Sequence, residues 1–340
     1  MITVVLFFLC FSLLLYVLLG GADFGAGIIE LFSSKTNQDI TKKTIYRVMG
    51  PVWEANHIWV IILIVILWIA FPVYYKIMVT SLHIPLTLML LGITVRGVAF
   101  VFRHYDAYID SSQHIYNWMF RTSSLFTPIL LGMIFGGMVS GKIILIDVVE
   151  NASFYDVYIA PWCNLFSLLV GLFFASLCAF LSAVLLIGEA DEEGYPVYVK
   201  KASIATITVV FIGFITICYG YFTNIPLVKG IIANKISLLL IVVSGVCLLP
   251  LWFSVRKGNS ILSRSLAGFQ VVLIIAVAIL PHFPNVLITQ HGSISILQDK
   301  APDAVIKVLG ISLIIGGSII IPGLLHLLKS FKLIKILERK

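Results

Sequence analysis

Glu54, Asn56 and His57 stand within four positions of one another in the stretch Gly50-Pro51-Val52-Trp53-Glu54-Ala55-Asn56-His57-Ile58-Trp59. An acid, an amide and an imidazole at that spacing can pass a proton or fix a polar guest. A second stretch, Gly20-Gly21-Ala22-Asp23-Phe24-Gly25-Ala26-Gly27, sets one acid among small residues, and Arg96 lies in an apolar run. An ionisable group in such surroundings is expensive and becomes a candidate functional group. The plain alternative is two acids at a membrane interface, Glu54 favoured by its helix dipole and Arg96 snorkelling to headgroups. On a helix, Trp53, Asn56, His57 and Val60 share a broad face and Glu54 flanks His57. Trp59 then points about 140° away from Glu54, so the two can line separate routes. Gly21 and Gly25 are four apart, share a face and admit a second helix closely.

These residues need elements to hold them, and composition names the class. Of 340 residues, 60% are hydrophobic and only 11% charged, with a mean hydropathy of +1.07. Too little polar surface remains to cover a soluble globule, so the chain is an all-α polytopic membrane protein. Nine helices are expected, near 2–29, 51–75, 78–102, 122–141, 160–188, 202–222, 234–254, 262–281 and 303–328. Pro51 and Pro161 suit first turns, and Pro281 with Pro284 closes helix eight. The 282–302 segment reads as the longest connection on its side. A division into 1–141 with the charged motifs, 142–281 as a second bundle, and 282–340 as a last helix and basic tail is expected.

The first apolar run has no basic residue before it, which favours a retained helix over a cleaved leader. With the N-terminus outside, sixteen Lys and Arg fall in inside loops and the tail, against five outside. That bias supports an odd helix count and a cytoplasmic C-terminus. The net charge of +7 reflects those loops rather than nucleic-acid binding. The five cysteines show no CxxC or zinc spacing and read as buried small hydrophobes.

In this arrangement Asp23, Glu54 and Arg96 fall at one depth, in the cytoplasmic third of three consecutive helices. Two acids and an arginine at one level suit proton uptake or relay. Burial against Trp53 and the nearby Arg96 are expected to set the charge of Glu54. Haem is the rival use for histidine. His57 and His83 could face a bundle interior, but no two histidines stand on facing helices at matched depth, so a hydrogen-bonding or interfacial role is expected instead.

The two motifs, then Phe71-Pro72, then Arg96-Gly97 with Phe100 and Arg103, resemble subunit II of the cytochrome bd-type quinol oxidases. The resemblance is dense over about the first 105 residues. It implies two four-helix bundles plus a peripheral helix, in a bacterial plasma membrane complex that oxidises quinol and reduces dioxygen to water. It places haem b and haem d in the partner, subunit I, and none in this chain, and it allows small single-span subunits besides. By position in the motif, Glu54 matches an acid assigned to the proton route and Trp59 a tryptophan lining the proposed oxygen route. Trp53, Asn56 and His57 fall with Trp59 on the oxygen-path or subunit-contact side. Many relatives carry a further Asp at the position of Gly20, and often Glu or Gln at that of His57. A path that needs that first acid is missing here, so Asp23 with Glu54 must suffice or the path differs.

A secondary transporter with an intramembrane acid pair is the alternative. Transporters favour midplane sites on interrupted helices, and neither feature is evident in this sequence. A purely structural scaffold leaves the N-terminal charge cluster without a use.

Overall fold

The computed structural model describes residues 1–50, 53–105, 112–145, 153–190 and 194–330. Among them are nine helices long and apolar enough to cross a membrane, and the only strands form one small hairpin. The expected all-α membrane class is therefore found, with differences at the boundaries.

The first span joins α1 (Ile2–Leu15) to α2 (Gly21–Leu31) through one π-helical turn, Tyr16–Gly20. Helix α3 (Lys35–Met49) lies among the residues read as loop. It is amphipathic, burying Thr41, Thr44, Ile45, Val48 and Met49 at helical spacing while Lys43 and Arg47 stay exposed. Its apolar stripe is too short and too interrupted to register as a span.

The expected helix 51–75 is two helices, α4 (Trp53–Ala70) and α5 (Pro72–Ser81). Phe71 leaves helical geometry at φ −132°, ψ 60°, as a residue before proline is driven to do. Pro51, expected at a first turn, lies outside the described residues. Helix α6 (His83–Tyr105) and α7 (Ser112–Val139) follow, α7 starting ten residues earlier than its apolar run because polar Gln113 and Asn117 fit a helix that reaches past the hydrocarbon.

A short α8 (Phe154–Tyr158) precedes α9 (Leu165–Ile187). Pro161 sits in the turn before α9 rather than within it, and Asn164 caps the helix by accepting from the Ser167 N–H. Then come α10 (Tyr195–Phe222), α11 (Pro226–Ala233), α12 (Lys235–Arg256) and α13 (Ser260–Ile279). The connection after α13 folds into the hairpin β1 (Leu287–Thr289) and β2 (Gly292–Ile294), with Leu287 opposite Ile294. Helix α14 (Asp303–Ser330) ends the described chain.

Helix α9 is central, packing on α2 and α7 on one side and on α10 and α13 on the other. Small residues make this possible. A Cβ at Gly25 would lie 1.9 Å from the Cys178 carbonyl oxygen, and one at Gly132 would lie 2.6 Å from the Gly171 Cα. Backbones at that separation tolerate no side chain, which is how van der Waals packing holds helices where lipid gives no hydrophobic drive. Gly21 is looser, 3.5 Å from Cys178 Sγ at the same test. The outward faces of α10, α12 and α14 carry exposed Ile207, Phe211, Val242, Leu249 and Ile315, as surfaces bathed in lipid tails should.

Candidate functional site

Asp23, Glu30, Arg96, Arg103 and Arg121 form a seam where α2, α6 and α7 meet. Asp23, the acid of the glycine-rich stretch, is completely buried. Its Oδ2 accepts from Arg96 Nη1 at 2.6 Å, and its backbone oxygen accepts from Arg96 Nη2 at 2.9 Å. The third arginine donor, Nε, goes to Ser124 Oγ on α7 at 3.0 Å. Gly27 lets Ser124 come so near: a Cβ there would sit 2.2 Å from the serine oxygen. The small-residue stretch thus does two things, seating α9 at Gly25 and admitting α7 at Gly27.

Two turns further along, the pairing repeats. Glu30 is 0% exposed, and Arg103 Nη2 donates to both its carboxylate oxygens at 2.9 and 2.7 Å. Arg121 Nε, from α7, donates to Oε1 at 2.9 Å. The same interval of seven residues separates Asp23 from Glu30 and Arg96 from Arg103, so one face of α2 meets one face of α6 twice. Phe120 lies between the rungs, its ring 5.0 Å from the Arg96 guanidinium and 4.7 Å from that of Arg103. Cation–π contact at each face holds the arginines in place between ion pairs.

Sequence reasoning set Asp23 and Arg96 together in depth, and the structure sets them in contact. It missed Glu30, which lies just past the expected helix end at 29, and it counted Arg121 as a loop cation. The matching seven-residue intervals were the signal that could have found the second rung.

At the outer edge of the seam, Tyr46 of α3 donates its hydroxyl to the Arg103 carbonyl at 3.4 Å, and its ring lies 4.9 Å from that guanidinium. Burial pushes the Tyr46 phenol up to about 12, against the pull of Arg103, so it stays protonated throughout the working range. Lys201 of α10 reaches across to donate to Ser33 Oγ at 2.6 Å and Thr41 Oγ1 at 2.9 Å. The loop between α2 and α3 is thereby tied to the other side of the molecule. A parallel tie joins α13 to the end of α9, where Arg264 donates to Glu189 Oε1 at 2.8 Å.

Glu54 is placed differently. It is exposed, and among the described residues it makes no hydrogen bond or ion pair. The expectation that Trp53 and Arg96 govern it fails. Arg96 is committed to Asp23, and Trp53 turns inward against Phe100 with ring centroids 5.5 Å apart. Asn56 and Trp59 are buried at 3% exposure each, on the side of α4 away from Glu54. Trp59 packs edge-on against Phe11 at 5.8 Å. His57 lies between these faces. Its Nε2 is 3.8 Å from Asp23 Oδ2, and its ring packs on Phe24 at 5.7 Å and near Tyr16 at 6.2 Å. His83, which could have faced a bundle interior, is instead exposed, with Nδ1 3.0 Å from the Thr80 carbonyl and its ring edge-on to Tyr158 at 5.0 Å.

The arrangement is a charged, arginine-paired core with one open edge. Two acids are neutralised by arginines, one acid is open, and an imidazole stands between open and closed.

Comparison with known proteins agrees with the resemblance in the N-terminal motifs and extends it along the chain. The family model described as cytochrome bd terminal oxidase subunit II matches residues 1–331. The cytochrome bd ubiquinol oxidase subunit 2 of Bacillus subtilis (strain 168) is 23% identical over 86% of this chain and 85% of its own length. The cytochrome bd-I ubiquinol oxidase subunit 2 of Escherichia coli (strain K12) is 24% identical over 36% of this chain and 31% of its own. A chain of the bd oxidase from Geobacillus thermodenitrificans has the same fold, with a TM-score of 0.76, 18% identity, and coverage of 97% of this chain and 98% of that one. A match that runs from the first residue through the last span shows that this chain belongs to the cytochrome bd terminal oxidase subunit II family.

Proposed function

We propose that this chain is the second subunit of a membrane complex that oxidises quinol and reduces dioxygen to water. In this reading it docks on a haem-bearing subunit I, which holds haem b and haem d, and it conducts protons and dioxygen rather than electrons. Its N-terminus faces outward and its C-terminus the cytoplasm, as the distribution of Lys and Arg favours. Glu54 takes protons from the cytoplasmic side, and Trp59, on the opposite side of α4, borders the oxygen route.

One observation carries this reading: Glu54 is the open acid of the N-terminal cluster. Asp23 and Glu30 are each paired with arginine, Asp23 with Arg96 and Glu30 with Arg103 and Arg121. Among the described residues Glu54 has no such partner. It shares its face with exposed Ile58, Ile61, Val65 and Trp68, spaced by three and four residues along α4. A carboxylate left to face lipid on that stripe would be costly, so the stripe is the surface offered to subunit I.

The experiment is Glu54→Gln in the assembled complex. The amide keeps size and hydrogen bonding but carries no proton. Haem content is expected to stay normal while quinol oxidase turnover falls by about 10²-fold or more, the ordinary weight of one proton-transfer group. Glu54→Asp retains part of the activity. Normal turnover in Glu54→Gln would reduce the acid to a helix-start residue, and loss of the haems would make its role one of assembly.

A further inference from the structure

Three buried polar atoms gather at the π-helical turn, and among the described residues none has a hydrogen-bond partner: Asp23 Oδ1, His57 Nδ1 and Tyr16 Oη. Asp23 and Tyr16 are at least nine-tenths buried, with His57 more open, its side chain 15% exposed. The groups are neighbours. His57 Nε2 stands 3.8 Å from Asp23 Oδ2, too far for a hydrogen bond, and the His57 and Tyr16 rings lie 6.2 Å apart. The π turn swings the Tyr16 ring over Gly20, where a Cβ would come within 2.9 Å of it. π turns of this kind recur where function demands a local distortion.

A buried polar atom without a partner costs about 1–3 kcal/mol. Three such atoms, on side chains that adjoin one another, match in number the two to four partners that an internal water requires. We propose that Asp23, His57 and Tyr16 hold such water, and that His57 is a proton-relay residue joining exposed Glu54 to this site. The inference rests on the reading of Glu54 as the proton-accepting acid.

Glu54 and His57 are three residues apart on α4 and so adjacent on its surface. A proton delivered from the Glu54 side forms an N–H bond at one imidazole nitrogen. The N–H bond at the other nitrogen then breaks towards the water between Asp23 Oδ1 and Tyr16 Oη. The ring ends neutral, one proton has moved inward, and no oxidant or reductant is needed. Arg96 holds Asp23 in place through one carboxylate oxygen and the backbone oxygen, and the carboxylate faces the imidazolium in passing. The charged and titratable groups facing His57 are Asp23, Arg96 and Tyr16 from the helix α1–α2 and α6 side, and Glu54 from its own helix.

The test uses the purified two-subunit oxidase. His57→Gln keeps a hydrogen-bonding side chain of similar length but cannot shuttle a proton. Haem spectra are expected to be unchanged, turnover to fall on the order of tenfold, below the full weight of a catalytic acid, and the solvent deuterium isotope effect on turnover to rise. A merely structural role would not move the isotope effect. Should His57→Gln fail to assemble, Tyr16→Phe decides, since it removes one oxygen from the same site; several-fold slower turnover supports the relay and unchanged turnover overturns it. Wild-type turnover and isotope effect in His57→Gln, alongside an inactive Glu54→Gln, overturn the relay and leave the conduit reading intact. Normal turnover in both variants overturns the two together.

Discussion

The Glu30 cage makes a sharp demand on stability. One carboxylate serves two guanidiniums, Arg103 at 0% side-chain exposure and Arg121 at 14%. The cluster therefore carries one positive charge more than it neutralises. Glu30→Gln preserves shape but removes the charge from both arginines at once. Breaking a single buried pair costs about 3–5 kcal/mol. Here two pairs fail, so the loss should reach about 5 kcal/mol, the upper end of that range. Arg121→Gln instead leaves Glu30 and Arg103 as a balanced pair and removes the more exposed cation, for about 1.5–3 kcal/mol, the scale of a charged hydrogen bond.

The double variant discriminates further. With Glu30 already neutral, removing Arg121 takes away an unbalanced charge, so Glu30→Gln/Arg121→Gln should be more stable than Glu30→Gln alone. The assay is thermal denaturation of the detergent-solubilised complex, followed by haem absorbance, with the yield of assembled complex in membranes as a second measure. Equal losses in the two single variants, or losses that simply add, would refute the charge accounting and reduce the cage to packing.

Two further outcomes follow from the packing. Gly25→Ala puts a carbon 1.9 Å from the Cys178 oxygen, so α2 and α9 must part and the complex should not accumulate; Gly245→Ala, with nothing within 4 Å, should leave yield unchanged or slightly improved, and a pulse-labelled membrane blot compares them. Trp59→Phe opens space beside Phe11 in a site with no hydrogen bond to lose, so the apparent oxygen affinity should shift several-fold at unchanged haem content; unaltered oxygen kinetics would make Trp59 an ordinary packing residue.

What the sequence revealed follows from how strongly each feature is enforced. Long apolar runs have no other stable use, so the nine spans were legible, although α7 begins ten residues before its apolar run and the break at Phe71 was not seen. Asp23 and Arg96 were legible because an ion inside hydrocarbon is conspicuous. Glu30 was not, because it falls where apolar character fades and a carboxylate looks like the start of a loop. Only the later Arg103 and Arg121 bury it, and pairing across 73 and 91 residues leaves no trace in the residues around Glu30. Helix α3 was hidden for the opposite reason: its stripe of Thr41, Ile45 and Val48 is real, but nine polar or charged neighbours dilute it in any window long enough to find a span. Glu54 was placed correctly in the chain and wrongly in its surroundings. Helical phase put it opposite Trp59, as found, but phase alone does not say which side of the helix has company.

The seam also bears on how the chain is made. Asp23 and Glu30 emerge during synthesis some seventy residues before Arg96 and Arg103, the cations that neutralise them. Until α6 arrives, the first span must enter the bilayer carrying acids with no counter-ion, each opposing insertion by about 2.5–3.5 kcal/mol if centred. That span is also the most apolar of the nine. Its long run from Ile2 to Leu19 supplies the surplus that carries the acids in, and Asp23 and Glu30 sit at the end away from that run. The leading half of helix one is thus an insertion device for the trailing half, whose charges wait in the membrane for their partners.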